Sequence, residues 1–168
     1  MTTKIQGQLR VAVATWNLQG TLPPNNSVKR LLDHLTENLF PARPDIIAIG
    51  TQECQRSLCM SFFCEDKREW EGMLNDATPG FSMITSETLQ GLHLGIFIRK
   101  EIAHCCTIEK KAVLRAGVCN LLGNKGAVAI KINLLGQNFQ FVTCHLAPHQ
   151  TETNRRNEIL FAITENLI

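Results

Sequence analysis

A short polar segment between two apolar stretches holds residue types suited to binding a phosphate. The segment is Gly123-Asn124-Lys125-Gly126, and it directly precedes the strand-like run of residues 127–132. Lysine offers a point charge with three donors, asparagine adds oriented donors, and glycine lets the backbone come close to a bound group. The segment therefore predicts a phosphate-binding loop. The alternative for the same four residues is an ordinary turn with an exposed lysine.

Three other polar side chains, Asn17, Glu53 and His145, each follow a predicted strand. Because ligands bind outside the strand ends of an open α/β sheet, we expect these side chains to converge. Glu53 would give an anionic oxygen to Mg²⁺, an ion that keeps several waters, and Asn17 would orient that carboxylate or the ion. His145 would donate to a phosphate oxygen. Taken singly, they could instead be a surface carboxylate or helix cap, a turn former and a loop histidine.

Alternating strand and helix patterns would position these groups. Strands are predicted at residues 10–16, 46–49, 81–85, 93–99, 128–134 and 139–144, the last four as two pairs. Helices are predicted at residues 25–39 and 65–76 and from residue 150 to the end. The second strand is apolar throughout, so both of its faces should be covered. The pattern predicts one α/β unit over residues 1–168.

Composition and charge narrow the class of protein. The 168 residues are 44% hydrophobic and 19% charged, which is typical of a globular chain with one core. A net charge of +2 is too small to indicate nucleic acid as a partner. With neither a signal region nor a membrane-spanning run in the sequence, we expect a cytoplasmic protein. The seven cysteines include no Cys-x-x-Cys pair, so reduced thiols are expected rather than a zinc site.

Five segments in order along the chain resemble the inositol polyphosphate 5-phosphatase family, within the endonuclease/exonuclease/phosphatase superfamily. They are residues 13–20, 44–53, 123–130, 144–150 and 155–158. The superfamily's nucleases and sphingomyelinases share TWN and QE, whereas GNKGAVAI is more specific to 5-phosphatases. The resemblance implies a four-layer α/β sandwich, of which this chain would be the N-terminal half. It also implies Mg²⁺-dependent removal of the 5-phosphate from phosphoinositides or soluble inositol phosphates.

The same resemblance assigns roles to individual residues. Asn17 and Glu53 match the family's metal-site pair, Asn17 also counting as catalytic, and His145 matches its phosphate-contacting histidine. Four residues match positions at the border of the site and are predicted to bind substrate: Asn124, Lys125, Arg156 and Asn157. For the last two, structural support is the alternative.

The family's second half carries Gly-Asp-Leu-Asn, Trp-Cys-Asp-Arg and Ser-Asp-His segments, and none of them occurs in these residues. We therefore expect the chain alone to be inactive, with exposed apolar faces and an exposed strand edge. One hypothesis is part of an active 5-phosphatase, reaching membranes peripherally through other sequence or a partner. Another is a non-catalytic truncated paralogue that binds phosphoinositide or a partner. A different superfamily phosphodiesterase or nuclease is disfavoured by the charge and by GNKGAVAI.

Overall fold

The computed structural model describes residues 8–34, 43–54, 66–116 and 125–167. Its elements in chain order are β1 (Val11–Asn17), α1 (Asn25–Asp33), β2 (Ile46–Gln52), α2 (Arg68–Ala77), β3 (Phe81–Leu89), β4 (Leu92–Arg99), β5 (Cys106–Arg115), β6 (Gly126–Leu134), β7 (Gln137–His145) and α3 (Thr153–Leu167). None of the helices in these ranges is long and apolar enough to cross a membrane.

The strands form two sheets. The first has the order β1-β2-β4-β3, with β1 and β2 parallel and the other neighbours antiparallel. The second is antiparallel throughout, in the order β5-β6-β7. Because β1 and β2 run in the same direction, their carboxyl ends lie at one edge, where Asn17 is the register partner of Gln52. Polar residues at the ends of β1 and β2, which are far apart in the sequence, are therefore neighbours in the structure.

The elements stack as four layers with three apolar interfaces, which confirms the predicted four-layer α/β arrangement. Helices α1 and α2 cover the first sheet, the two sheets face each other, and α3 covers the second sheet. The structure shows why residues 46–49 of strand β2 are all apolar. Ile47 and Ile49 pack toward the helices, whereas Ile46 and Ala48 pack toward the second sheet. Burial on both faces requires apolar residues at every position.

Strand β5 is an element that the sequence pattern did not predict. It pairs with β6 from Cys106 to Arg115, but most of its residues are exposed. The consecutive charged residues Glu109, Lys110 and Lys111 conceal the alternation that marks a half-buried strand. A bulge between Ile108 and Lys110 interrupts the alternation further. The predicted helix positions Leu35 and Leu39 lie outside the described residues.

The outer edges of β1 and β7 are exposed, as expected for an incomplete sandwich. Val13 on β1 is 64% exposed and Val142 on β7 is 38% exposed. A groove of about 390 Å³ lies beside both strands, with Thr15, Gln140 and Thr143 in its wall. Among the described strands, none pairs with these two edges. Unpaired backbone groups and exposed valines make this side of the molecule suited to pairing with further strands.

The two sheets approach each other closely where β2 passes β7. A side-chain carbon added at Gly50 would lie 2.6 Å from Thr143 Oγ1 and 2.8 Å from Thr143 Cβ. Two residues after Gly50 on the same strand, the Gln52 side-chain amide donates to Thr143 Oγ1 and to Thr15 Oγ1, each at 3.1 Å. These contacts tie β1, β2 and β7 together just before the strand ends that carry Asn17, Glu53 and His145.

We predict that Gly50→Ala lowers the free energy of unfolding by about 1–3 kcal/mol, because the added methyl group overlaps Thr143. Urea unfolding at neutral pH measures the change. The matched control is Gly72→Ala in α2, where an added carbon meets nothing within 4 Å. That variant should be neutral or up to about 1 kcal/mol more stable, since alanine favours helix. Equal stability of Gly50→Ala and the parent would contradict the close contact.

His93 on β4 is a fully buried histidine beneath the strand ends. Its Nδ1 is 3.0 Å from Thr88 Oγ1, and its Nε2 is 3.6 Å from Glu71 Oε1, too far for a hydrogen bond. Burial, with a smaller contribution from the charge of Lys67, lowers the pKa of His93 from 6.5 to about 4. The imidazole is therefore neutral in the folded protein at physiological pH, as expected of a core histidine.

The depressed pKa of His93 predicts a loss of stability in mild acid. Below the unfolded pKa of 6.5 the unfolded chain binds the proton more readily, so stability falls until the pH reaches about 4. Between pH 7 and pH 4.5 the expected loss is about 2 kcal/mol. His93→Gln should remove that component from urea unfolding measured at the two pH values. His104→Gln, at an exposed histidine, should not. The same pH dependence in both variants would count against this assignment.

Candidate metal and phosphate site

Glu53 directly follows β2 in a left-handed backbone conformation, with φ of 53°. Hydrogen bonds from separate segments hold this turn. The Gly20 amide donates to the Glu53 carbonyl at 2.9 Å, and the Cys54 amide donates to the Gly91 carbonyl at 2.9 Å. Positive φ is unfavourable for residues other than glycine, so these contacts over-determine the conformation. The turn gives the Glu53 carboxylate a direction that continuation of the strand would not.

The structure brings Glu53, His145 and Lys125 together from different sheets. Glu53 Oε1 lies 3.7 Å from His145 Nε2, and Lys125 Nζ lies 2.6 Å from the same nitrogen. An ammonium can only donate, so a charged Lys125 requires a neutral His145 that accepts at Nε2. The side chains of Glu53 and His145 are 23% and 14% exposed. A carboxylate and an ammonium thus flank one imidazole nitrogen at a partly accessible position.

Asn17 ends β1 beside this cluster, on the strand next to β2. It is exposed, and its Oδ1 accepts from the Gln19 amide at 2.9 Å. The contact forms an Asx turn, and the oxygen keeps a second lone pair. Among the described residues, no three His, Cys, Asp or Glu side chains converge as a metal cage. By their donor chemistry, the carboxylate of Glu53 and the amide oxygen of Asn17 fit a hard cation such as Mg²⁺, which takes one or two protein oxygens and completes its shell with water and substrate oxygens.

Lys125 lies immediately before β6, and its carbonyl accepts from the Ala116 amide at 3.0 Å. The following glycine has a structural role. Gly126 has φ of 148°, and a side-chain carbon there would lie 2.1 Å from the Leu114 carbonyl oxygen. The absence of a side chain at Gly126 thus permits close packing against strand β5. Asn124 lies outside the described residues, so its predicted phosphate contact stays a prediction.

Arg156 and Asn157 lie near the start of α3. The Arg156 guanidinium donates to carbonyl oxygens of the loop after β7, at 2.6 Å to His149 and 3.3 Å to Ala147. It also donates to Thr153 Oγ1 at 3.1 Å. Arg156 thereby fixes the loop that follows His145, which favours the structural alternative for this residue. Asn157 is exposed at the next position of the helix.

The sequence did not identify Lys67, Gln52 and Thr143. Their side chains make hydrogen bonds that hold the strands and the turn next to the site. Gln52 and Thr143 form a hydrogen bond between the two sheets, and no sequence pattern indicates that these two residues are in contact. Lys67, only 5% exposed, donates from Nζ to the carbonyl of Cys54 at 2.8 Å. The Cys54 thiol is buried as well, and burial raises its pKa to about 11. The sequence shows Lys67 only as one charged residue among Asp66 and Arg68.

Comparison with known proteins connects this geometry to a family. The profile of endonuclease/exonuclease/phosphatase family 2 matches residues 14–168. Phosphatidylinositol polyphosphate 5-phosphatase type IV from Homo sapiens is 31% identical over 140 residues, which are 79% of this chain and 19% of that protein. Phosphatidylinositol 3,4,5-trisphosphate 5-phosphatase 2 from Mus musculus is 29% identical over 160 residues, 89% of this chain and 12% of that protein. The chain therefore spans less than a fifth of these relatives' length.

A solved structure shows the same relation in three dimensions. The inositol polyphosphate 5-phosphatase domain (IPP5C) of SPsynaptojanin, in complex with inositol (1,4)-bisphosphate and a calcium ion, superposes with a TM-score of 0.75 at 27% identity. The match covers 95% of this chain and 46% of that chain, so the likeness extends over about half of the solved structure. Together with the profile match, this likeness shows that the chain belongs to endonuclease/exonuclease/phosphatase family 2 and is similar to inositol polyphosphate 5-phosphatases.

Proposed function

We propose that the chain provides the metal- and phosphate-binding half of a Mg²⁺-dependent inositol polyphosphate 5-phosphatase site. The observation that carries the proposal is the cluster of Glu53, His145 and Lys125, in which both acidic and basic groups lie within 3.7 Å of His145 Nε2. An oxygen ligand for a hard cation beside two donors for phosphate oxygens is the combination that phosphoryl transfer requires.

Different residues would bind the metal ion and the phosphate oxygens. Glu53, with Asn17 beside it, would hold Mg²⁺, which would neutralise charge on the phosphate oxygens. A phosphate oxygen would replace His145 Nε2 as the acceptor for the Lys125 ammonium. A protonated His145 could then donate to a second non-bridging oxygen, as predicted from the sequence. Such donors stabilise the charge that develops during transfer.

The substrate class is proposed from the relatives. Those named above are phosphatases of phosphoinositides, and the SPsynaptojanin domain binds inositol (1,4)-bisphosphate. We infer that inositol phosphates or phosphoinositides are the ligands here, and that the complete form of the domain removes the 5-phosphate. The proposed place of action is the cytoplasm, with peripheral contact to a membrane when the ligand is a lipid.

Cation binding tests the role of Glu53. Replacing the carboxylate by an amide in Glu53→Gln should lower the affinity for Mg²⁺ and Ca²⁺ by about tenfold or more, because the anionic ligand is lost. Titration calorimetry with and without inositol (1,4)-bisphosphate measures the affinity. Glu158→Gln, in α3 with a side chain 63% exposed, is the control and should leave it unchanged. Equal affinities in the two variants would contradict the proposed site.

Phosphate release tests the expectation that this chain alone is inactive. Among the described residues no three His, Cys, Asp or Glu side chains come together, and His145 is assigned to the phosphate as a donor, so activation of water lacks an evident base. The purified chain with Mg²⁺ should therefore release no phosphate from inositol 1,4,5-trisphosphate. Abasic DNA and sphingomyelin belong in the same assay. Robust Mg²⁺-dependent release from the inositol phosphate would overturn the expectation, and turnover of either other substrate would redirect the proposal.

A further inference from the structure

Lys67 is an unusual residue in this fold because its charged side chain is buried. It is 5% exposed, and it directly precedes α2, where its carbonyl accepts from the Glu71 amide at 2.8 Å. Burying an ammonium is strongly unfavourable unless hydrogen bonds compensate for the lost hydration. The acceptor for Nζ is the backbone carbonyl of Cys54, at 2.8 Å. The charge therefore acts on the backbone next to Glu53.

That carbonyl belongs to the turn that gives Glu53 its direction. The two peptide groups that follow Glu53 are fixed by contacts with different segments: the Glu53 carbonyl by Gly20, the Cys54 amide by Gly91 and the Cys54 carbonyl by Lys67. Of these three contacts, the one to Lys67 comes from a charged side chain, and a charged donor makes the stronger hydrogen bond. The left-handed conformation is unfavourable for a residue other than glycine, so loss of one contact would favour another conformation.

From this arrangement we propose that Lys67 is a positioning residue, which acts through the Cys54 carbonyl to keep the Glu53 carboxylate facing His145 and Lys125. In the site, this positioning would maintain the 3.7 Å separation between Glu53 Oε1 and His145 Nε2. The role of Glu53 in this inference rests on the proposed function. The control of its backbone by Lys67 does not.

The first test is amide hydrogen exchange in Lys67→Met, which keeps the length of the side chain and removes the donor. The Cys54 and Gly20 amides should exchange about tenfold faster, while the amides of Ile47 and Ile49 in β2 should keep their rates. Arg68→Met changes the neighbouring side chain, which is 89% exposed, and should alter none of these rates. Acceleration of all amides by the same factor, or of none, would show that Lys67 has no local role.

Two further variants keep the test decisive if Lys67→Met does not fold. Lys67→Arg retains a charged donor and should restore slow exchange at Cys54 and Gly20. Lys67→Gln retains a neutral, shorter donor and should lie between the parent and full loss. Exchange in Lys67→Gln that equals the parent's at both amides would overturn the inference.

The second measurement connects the turn to the site. Mg²⁺ and Ca²⁺ affinity should fall about tenfold in Lys67→Gln and recover in Lys67→Arg, with Arg68→Met unchanged. Failure of the parent chain to bind either cation would overturn the proposed function, and the exchange result would still decide the role of Lys67. Normal cation affinity in Lys67→Gln despite faster exchange at Cys54 would separate the turn from the site and overturn the positioning role.

Discussion

The contact between the two sheets at Gly50 and Thr143 is the constraint from which the rest of the site follows. At this point β2 has no side chain, so the Thr143 side chain of β7 lies directly against its backbone. The Gln52 amide then joins Thr143 to Thr15 on β1. Glu53 and His145 come one and two residues later along their strands. Their close approach is therefore set by the packing of the sheets and requires no attraction between the two side chains.

Much of the architecture could be predicted from the sequence, for reasons visible in particular elements. Strand β2 is apolar at every core position because helices cover one face and a sheet covers the other. Helix α2 overlaps the helix predicted at residues 65–76 and buries Trp70 and Leu74 on one face. Strand β5 could not be predicted, because an edge strand with consecutive charged residues has no burial pattern to display. Periodicity reports burial, and it is silent where an element is held mainly by backbone pairing.

The candidate site divides in the same way. Its groups at strand ends could be predicted, since polar residues after apolar strands are visible in sequence, and the structure joins Glu53, His145 and Lys125. The supporting contacts could not. Gln52 reaches a partner 91 residues away, and Lys67 donates to a carbonyl whose position depends on the assembled turn. Long-range hydrogen bonds depend on the packed fold, so no local sequence pattern predicts them.

Gly126 carries a consequence for how a ligand would be received. Its fit against the Leu114 carbonyl fixes the start of β6, and the hydrogen bond from Ala116 fixes the carbonyl of Lys125. The backbone of Lys125 is thus ordered when the sheet forms, before any anion binds. Because that backbone is ordered and Lys125 Nζ already contacts His145 Nε2, little conformational entropy is lost at this residue on binding. The second sheet therefore serves as the preorganising support for the positive charge of the site.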